Sequence, residues 1–391
     1  MAEILDSENR IKTIAFYLPQ YHPVKENNEW WGPGFTEWVN VAKARPLFRG
    51  HKQPHIPADL GFYDLRMPEI RQAQADLARS AGIEGFCYWH YWFGNGRTIL
   101  ERPFQEVLAS REPDFPFCLG WANESWSNKS WTVAKRSVKM QVLLEQTYSE
   151  EDIVRHFNYV LPAFLDKRYI TVEGKPLFYV YRPLSLPTPQ HFIEVWNKLA
   201  KDNGLPGVYF VGMSANISYR EIGKQGSGKI KIPRTNMAGE YYQHILDLGF
   251  DAVNSRGNSR AEFVVKGRYL AFLNTAIRTE LGVNLINKYN QESINNHLFV
   301  KEDRWERVYP TIMPNWDRSP RSGKSATVYV NSTPEVFGRC VKDVCDLVKD
   351  KPDDHKIVFI QSWNEWGEGN YLEPDIDNGK RYLEALKNNK Y

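Results

Sequence analysis

A chain of 391 residues with 42% hydrophobic and 25% charged side chains has the makeup of a globular protein with one large core. A net charge of +3 without a basic stripe argues against nucleic acid as partner, and no apolar run is long enough to span a bilayer. The unusual quantity is aromatic content, 14%, with 13 Trp and 21 Tyr.

Met1 to Arg10 carries acidic and polar residues where a signal peptide would have an apolar core, so the chain as given is expected in the cytosol. No linker-like stretch divides residues 1–391, which read as one domain. Four cysteines fit a reducing compartment: Cys87 and Cys118 lie in strand-like runs and Cys340 and Cys345 share a helical segment, all expected as free, buried thiols.

Short apolar runs bounded by turn residues recur at Ile11–Tyr17, Gly85–Trp89, Phe115–Trp121, Leu177–Tyr181, Val208–Met213, Phe250–Asn254, Tyr309–Pro314 and Ile357–Ser362. Between them lie amphipathic stretches, clearest at Glu69–Ala81, Glu151–Leu165, Pro189–Asn203, Glu240–Gly249 and Pro334–Lys349, which start or stop at Pro, Gly or capping residues. Eight such units with no glycine fingerprint after the first strand predict a (β/α)8 TIM barrel, not a doubly wound sheet. The segments Leu18–Pro68 and Ser255–Val308 exceed plain connections and are expected as long loops on the C-terminal face.

Active sites of such barrels form where the strands end. The first run leads through Tyr17 into Gln20, Tyr21 and His22, with Trp30, Trp31, Glu37 and Trp38 in the loop beyond. Tyr88, His90 and Trp92 close the second, and Trp121, Asn123, Glu124 and Trp126 follow the third. Trp316 follows the seventh, and the eighth ends in Trp363-Asn364-Glu365-Trp366-Gly367-Glu368-Gly369. A sugar offers a hydroxyl edge and a C–H face, so flat rings interleaved with polar side chains suit a saccharide cleft better than packing alone. Glycosidic cleavage needs a carboxyl that donates a proton and another that acts as base or nucleophile. Glu365 and Glu368 are the best pair, with Glu124 in reserve; burial among Trp363 and Trp366 is expected to raise the pKa of Glu368, and Gly367 and Gly369 to allow a tight turn.

The runs Phe16-Tyr17-Leu18-Pro19-Gln20-Tyr21-His22, Trp30-Trp31-Gly32, Gly34-Phe35-Thr36-Glu37-Trp38, Tyr88-Trp89-His90-Tyr91-Trp92, Trp121-Ala122-Asn123-Glu124 and the last motif resemble the WbsX family. That family is related to the family 99 glycoside hydrolases, the endo-α-mannosidases and endo-α-mannanases. The resemblance covers nearly the whole chain. It implies a barrel acting on polysaccharide, often encoded with O-antigen or capsule genes and frequently labelled glycosyltransferase. In the related hydrolases an E-x-x-E motif supplies both catalytic residues. Carried over, Glu365 would deprotonate the sugar's own 2-hydroxyl to form an anhydro-sugar, and Glu368 would be the general acid and then base. Gly367 stands where those hydrolases usually have His.

A nucleotide-sugar transferase is the rival, supported by Asp375-Ile376-Asp377, although an exposed acidic loop accounts for that triplet. Gly223 to Lys229 nearly matches a phosphate loop but has Ile230 where Ser or Thr is needed, and reads as a mobile basic loop. Pro54 keeps His51 and His55 off one helical face, so neither a metal nor another cofactor is expected. A non-catalytic saccharide-binding protein would keep the rings and dispense with the acids.

Overall fold

A computed structural model of the chain describes residues 10–128, 141–214, 237–267, 270 and 285–390. The eight apolar runs form parallel strands β1 (Lys12–Tyr17), β2 (Gly85–His90), β3 (Phe117–Trp121), β4 (Lys175–Val180), β5 (Tyr209–Met213), β6 (Ala252–Ser255), β7 (Val308–Ile312) and β8 (Ile357–Ile360), and no end lies more than two residues from its expected place. Each pairs with the next; β1 pairs with β8, for example Ala15 with Ile360, and the circle closes. The protein is a TIM barrel. Its strands are apolar almost throughout because one face packs into the barrel and the other against helices.

Among the described residues the helices of seven or more residues are α1 (Lys25–Trp31) and α2 (Glu37–Lys43) in the first long loop, then α3 (Pro68–Ser80), α4 (Arg102–Ser110), α5 (Glu150–Phe164), α6 (Pro189–Asp202), α7 (Ala238–Asp247), α8 (Asn258–Lys266), α9 (Pro334–Val348) and α10 (Arg381–Asn389). Their starts follow local chemistry. The Ser149 hydroxyl accepts from the amide of Asp152 at the head of α5, Thr333 does the same for Val336 at α9, and α3, α6 and α9 begin with Pro. A cap of this kind contributes about 1 kcal/mol. None of the described helices is long and apolar enough to cross a membrane.

Side chains alternate between the two faces of each strand, and this decides what can reach the site. Phe16, Trp89, Tyr179 and Phe359 point inward: Phe16 stacks on Trp89 at 4.8 Å and 5°, and on Phe359 at 5.2 Å. Gly120 is small because Trp89 lies across it; an added Cβ would sit 3.4 Å from that ring and 3.0 Å from Cys87 Sγ. From this layer the Tyr179 hydroxyl donates to Asn254 Oδ1 at 3.0 Å, and the Asn254 amide donates to Tyr309 O and Thr311 Oγ1. All four cysteines are free thiols; Cys87, Cys118 and Cys340 are buried and Cys345 is partly exposed. Residues 223–229, expected as a basic loop, lie outside the described residues.

Candidate active site

A cavity of about 310 Å³ opens at the carboxyl ends of the strands, above the Trp89 layer. Glu365 and Glu368 both face it. Glu365 ends a two-residue strand after β8, where its amide donates to Ser362 Oγ at 2.9 Å, and its Oε1 accepts from Trp89 Nε1 at 3.0 Å. One turn of 3₁₀ helix, Trp366–Glu368, carries the second carboxylate around to Arg321 Nη1 at 2.6 Å and Arg318 Nη2 at 3.1 Å.

The environments of the two acids differ. Burial pushes the Glu365 carboxyl up, and the neighbouring Glu368 charge pushes it further. Burial also acts upward on Glu368, but Arg318, Arg321 and Arg256 outweigh it and hold this carboxyl below its usual range. The sequence expectation for Glu368 is therefore reversed, because arginines distant in sequence, and not Trp363 and Trp366, dominate its surroundings. One acid is raised and the other lowered, so their surroundings separate the two titrations.

Glu37 is a third acid in this cavity. It opens α2, is fully buried, and accepts from the amide of Gly367 at 2.9 Å. Burial, opposed by Arg321, raises its pKa to about 7. Gly367 is needed for this contact and not for a turn, since its φ is not positive; Gly369 does take the left-handed turn at φ 60°.

Of the other residues singled out from the sequence, Glu124, Trp126 and Trp316 line the cavity. Glu124 is held by Arg182 at 2.6 Å, Trp126 packs edge-on to Tyr91 at 5.1 Å, and Trp316 lies between Tyr329 and Arg256. The rest do not reach it. Tyr17, Tyr88 and His90 sit on the outward face of their strands: the Tyr17 hydroxyl donates to Gln74 of α3, Tyr88 packs on Phe104 of α4, and His90 pairs with His156 of α5 at 2.8 Å. Trp92 stacks on His156 with its indole bonded to Asp152, while Trp121 packs against His156 and Phe192.

A buried scaffold absorbs another group. Asn364 exchanges two hydrogen bonds with the backbone of Leu18, tying the first loop to the last, and the Tyr21 hydroxyl donates to Asn364 O. Trp38 packs on Tyr21 and Trp366, and the Trp366 indole donates to Glu373. Trp363 is wholly buried against Phe86. Asn123 braces the backbone of Arg182, His22 bonds Pro19 O, and Gln20 is fully enclosed. Trp30 and Trp31 pack against Trp126 and Phe35 at the rim.

Sequence reading missed Trp89, Tyr91, Tyr181, Arg256, Glu262, Arg318 and Arg321 as site residues. Tyr181 and Arg256 directly follow β4 and β6, so the strand-end rule could have found them. Asp375 is not an exposed acid: it is buried, accepting from Tyr371 and Asn378, whereas Asp377 pairs with Lys52 at the surface. His51 bonds Asp317 at 2.7 Å.

Residues 13–386 match the family described as Glycosyltransferase WbsX. The chain belongs to the WbsX family. Two WxcX proteins of Xanthomonas campestris pv. campestris, uncharacterized, are 34% identical over 381 residues, which is 96% of this chain and 49% of theirs, so the chain spans about half the length of these relatives. Among solved structures, a glycoside hydrolase-like protein superposes with TM-score 0.57 at 15% identity, covering 98% of this chain and 95% of its own. A GH99 endo-alpha-mannosidase from Bacteroides thetaiotaomicron follows at 0.53 and 14%, with 96% and 95% covered. This WbsX chain thus has the fold of glycoside hydrolases, under a family label that speaks of transfer.

Proposed function

We propose that the protein is a retaining, endo-acting glycosidase of a microbial polysaccharide, with Glu365 and Glu368 as its catalytic carboxyls. The observation that carries this reading is two carboxyls on one cavity wall at the mouth of a barrel, in surroundings that push one pKa up and the other down, the separation that acid–base cleavage of a glycoside requires. The division of roles follows the resemblance. Glu365 takes the proton of the sugar 2-hydroxyl, whose oxygen attacks the anomeric carbon; the bond to the leaving oxygen breaks, and that oxygen takes the proton of Glu368. Glu368 then deprotonates a water that opens the anhydro-sugar, and the 2-oxygen recovers its proton from Glu365.

In the empty cavity the surroundings bias the pair the other way, pushing the Glu365 carboxyl up and holding that of Glu368 down. A sugar that draws Arg318 and Arg321 to its own oxygens takes them off Glu368, and the pKa of that carboxyl then rises toward that of a proton donor. A transferase reading has less support, because Asp375 is buried and committed to Tyr371 and Asn378, while Asp377 pairs with Lys52 at the surface. The proposal calls for no cofactor. Incubation with a panel of microbial polysaccharides should release oligosaccharides from at least one, and release should vanish in a Glu365→Gln, Glu368→Gln double variant. Equal product from the double variant would reject the pair, and sugar transfer from a nucleotide donor without hydrolysis would reject the reaction.

A further inference from the structure

Three arginines face the cavity, and two of them are occupied by Glu368. Arg256 is not. It leaves the end of β6 and lays its guanidinium over the Trp316 ring, 5.3 Å from the centroid. Among the described residues no carboxylate pairs with it, and its Nε is buried without an acceptor. The neighbouring acids are otherwise engaged: Glu262 accepts from the Tyr329 hydroxyl at 2.7 Å, Glu365 from Trp89, and Glu37 from Gly367. Burial also raises the Glu262 pKa, which weakens it further as a counter-charge.

A half-buried guanidinium whose enclosed Nε has no acceptor is costly unless a ligand supplies one. The fork of N–H groups matches the two oxygens of a carboxylate or phosphate, and the ring beneath fixes the plane in which it is offered. Trp316 also gives a sugar ring an apolar face beside that charge. We propose that the cavity takes an anionic saccharide, a sugar bearing a carboxylate that Arg256 grips in bidentate fashion beside the bond cleaved at Glu365 and Glu368. This rests on the glycosidase reading above and adds the substrate class to it. The same fork would fit the diphosphate of a sugar nucleotide, so the test separates the two sources.

Calorimetric titrations would compare oligogalacturonate, oligoalginate and hyaluronan oligosaccharides, each beside its carboxyl-reduced neutral form, and UDP as a third arm, on the wild type, Arg256→Gln and Arg256→Lys. At least one acidic form should bind the wild type about tenfold or more tighter than its reduced form, Arg256→Gln should erase that difference, and Arg256→Lys, which keeps charge but loses the fork, should retain part of it. The wild-type comparison decides the matter even if Arg256→Gln fails to fold. Equal binding of acidic and reduced forms overturns the inference and leaves the glycosidase reading standing. Arg256-dependent binding of UDP, with no preference among the saccharides, overturns it in favour of a nucleotide donor. No binding of any saccharide, acidic or reduced, overturns both.

Discussion

The carboxyl of Glu37 fills the space that a side chain at Gly367 would occupy. A Cβ at 367 would overlap Glu37 Oε1 and stand 2.8 Å from Cδ. The acid that takes this space comes from the first loop, at the head of α2. Gly367→Ala should therefore cost about 1 to 3 kcal/mol of stability through overpacking and displace Glu37 from the site. In a Glu37→Ala background the same change should be nearly neutral. Thermal unfolding of the two single variants and the double variant measures that coupling, and additive costs would show that the two positions do not compete for space.

Glu37 also makes a signed prediction about pH. Its folded pKa, about 7, lies above the ordinary 4.5, so the folded state holds this proton more tightly than the unfolded chain does. The stability it contributes is complete below about pH 4.5 and is lost as pH rises through 7. Glu37→Gln has no proton to lose. Relative to the wild type it should gain stability steadily between pH 4.5 and 7, by on the order of 3 kcal/mol at most. Unfolding curves at several pH values check this, and a constant offset would mean that Glu37 is ionised throughout.

Trp126 and Trp92 read alike in the sequence and should behave oppositely. Trp126 faces the cavity, so Trp126→Ala should weaken saccharide binding by on the order of 1 to 3 kcal/mol and leave a folded protein. Trp92 lies flat on His156 at 4.7 Å and is almost fully buried, so Trp92→Ala should cost about 3 to 5 kcal/mol of stability. A stable Trp92→Ala protein with impaired binding would return Trp92 to the site.

That contrast shows where the sequence stops being legible. Turn-bounded apolar runs and capping residues sufficed for the barrel, because parallel strands are apolar on both faces and helices announce their ends. The same two-sided burial hides which face is which. Tyr88, Trp89 and His90 are indistinguishable by periodicity, yet only Trp89 turns inward to meet Glu365. The last motif drew attention to the acids, but their electrostatics come from Arg256, Arg318 and Arg321 on two other loops, with no local pattern linking them. Asn364 and Trp366, conspicuous in the motif, serve the packing between the first loop and the last.

Trp89 offers a test of the acid it touches. Its indole hydrogen bond opposes the upward push of burial on Glu365, and its ring stacks on Phe16. Trp89→Phe keeps the stacking and removes the bond, so the Glu365 pKa should rise further. In the pH profile of kcat/KM, the limb on the alkaline side should move up by less than about one unit. A limb that stays in place would belong to another group.

The roles within the pair are separable by leaving group. Glu365→Gln and Glu368→Gln each preserve shape while removing a titrating carboxyl, and each should lower turnover on a natural linkage at least about a hundredfold with little change in binding. Arg318 and Arg321 would face a neutral amide in Glu368→Gln, so its unfolding curve must be compared with that of the wild type before the rate is interpreted. An aryl glycoside with an activated leaving group needs no proton from the enzyme. It should restore much of the rate of Glu368→Gln and little of that of Glu365→Gln, because abstraction of the 2-hydroxyl proton is still required. The reverse pattern would exchange the roles, with Glu365 as the acid and Glu368, beside its arginines, as the base. Equal rescue, or a trapped glycosyl ester on Glu365, would exclude participation of the 2-hydroxyl while leaving both acids essential.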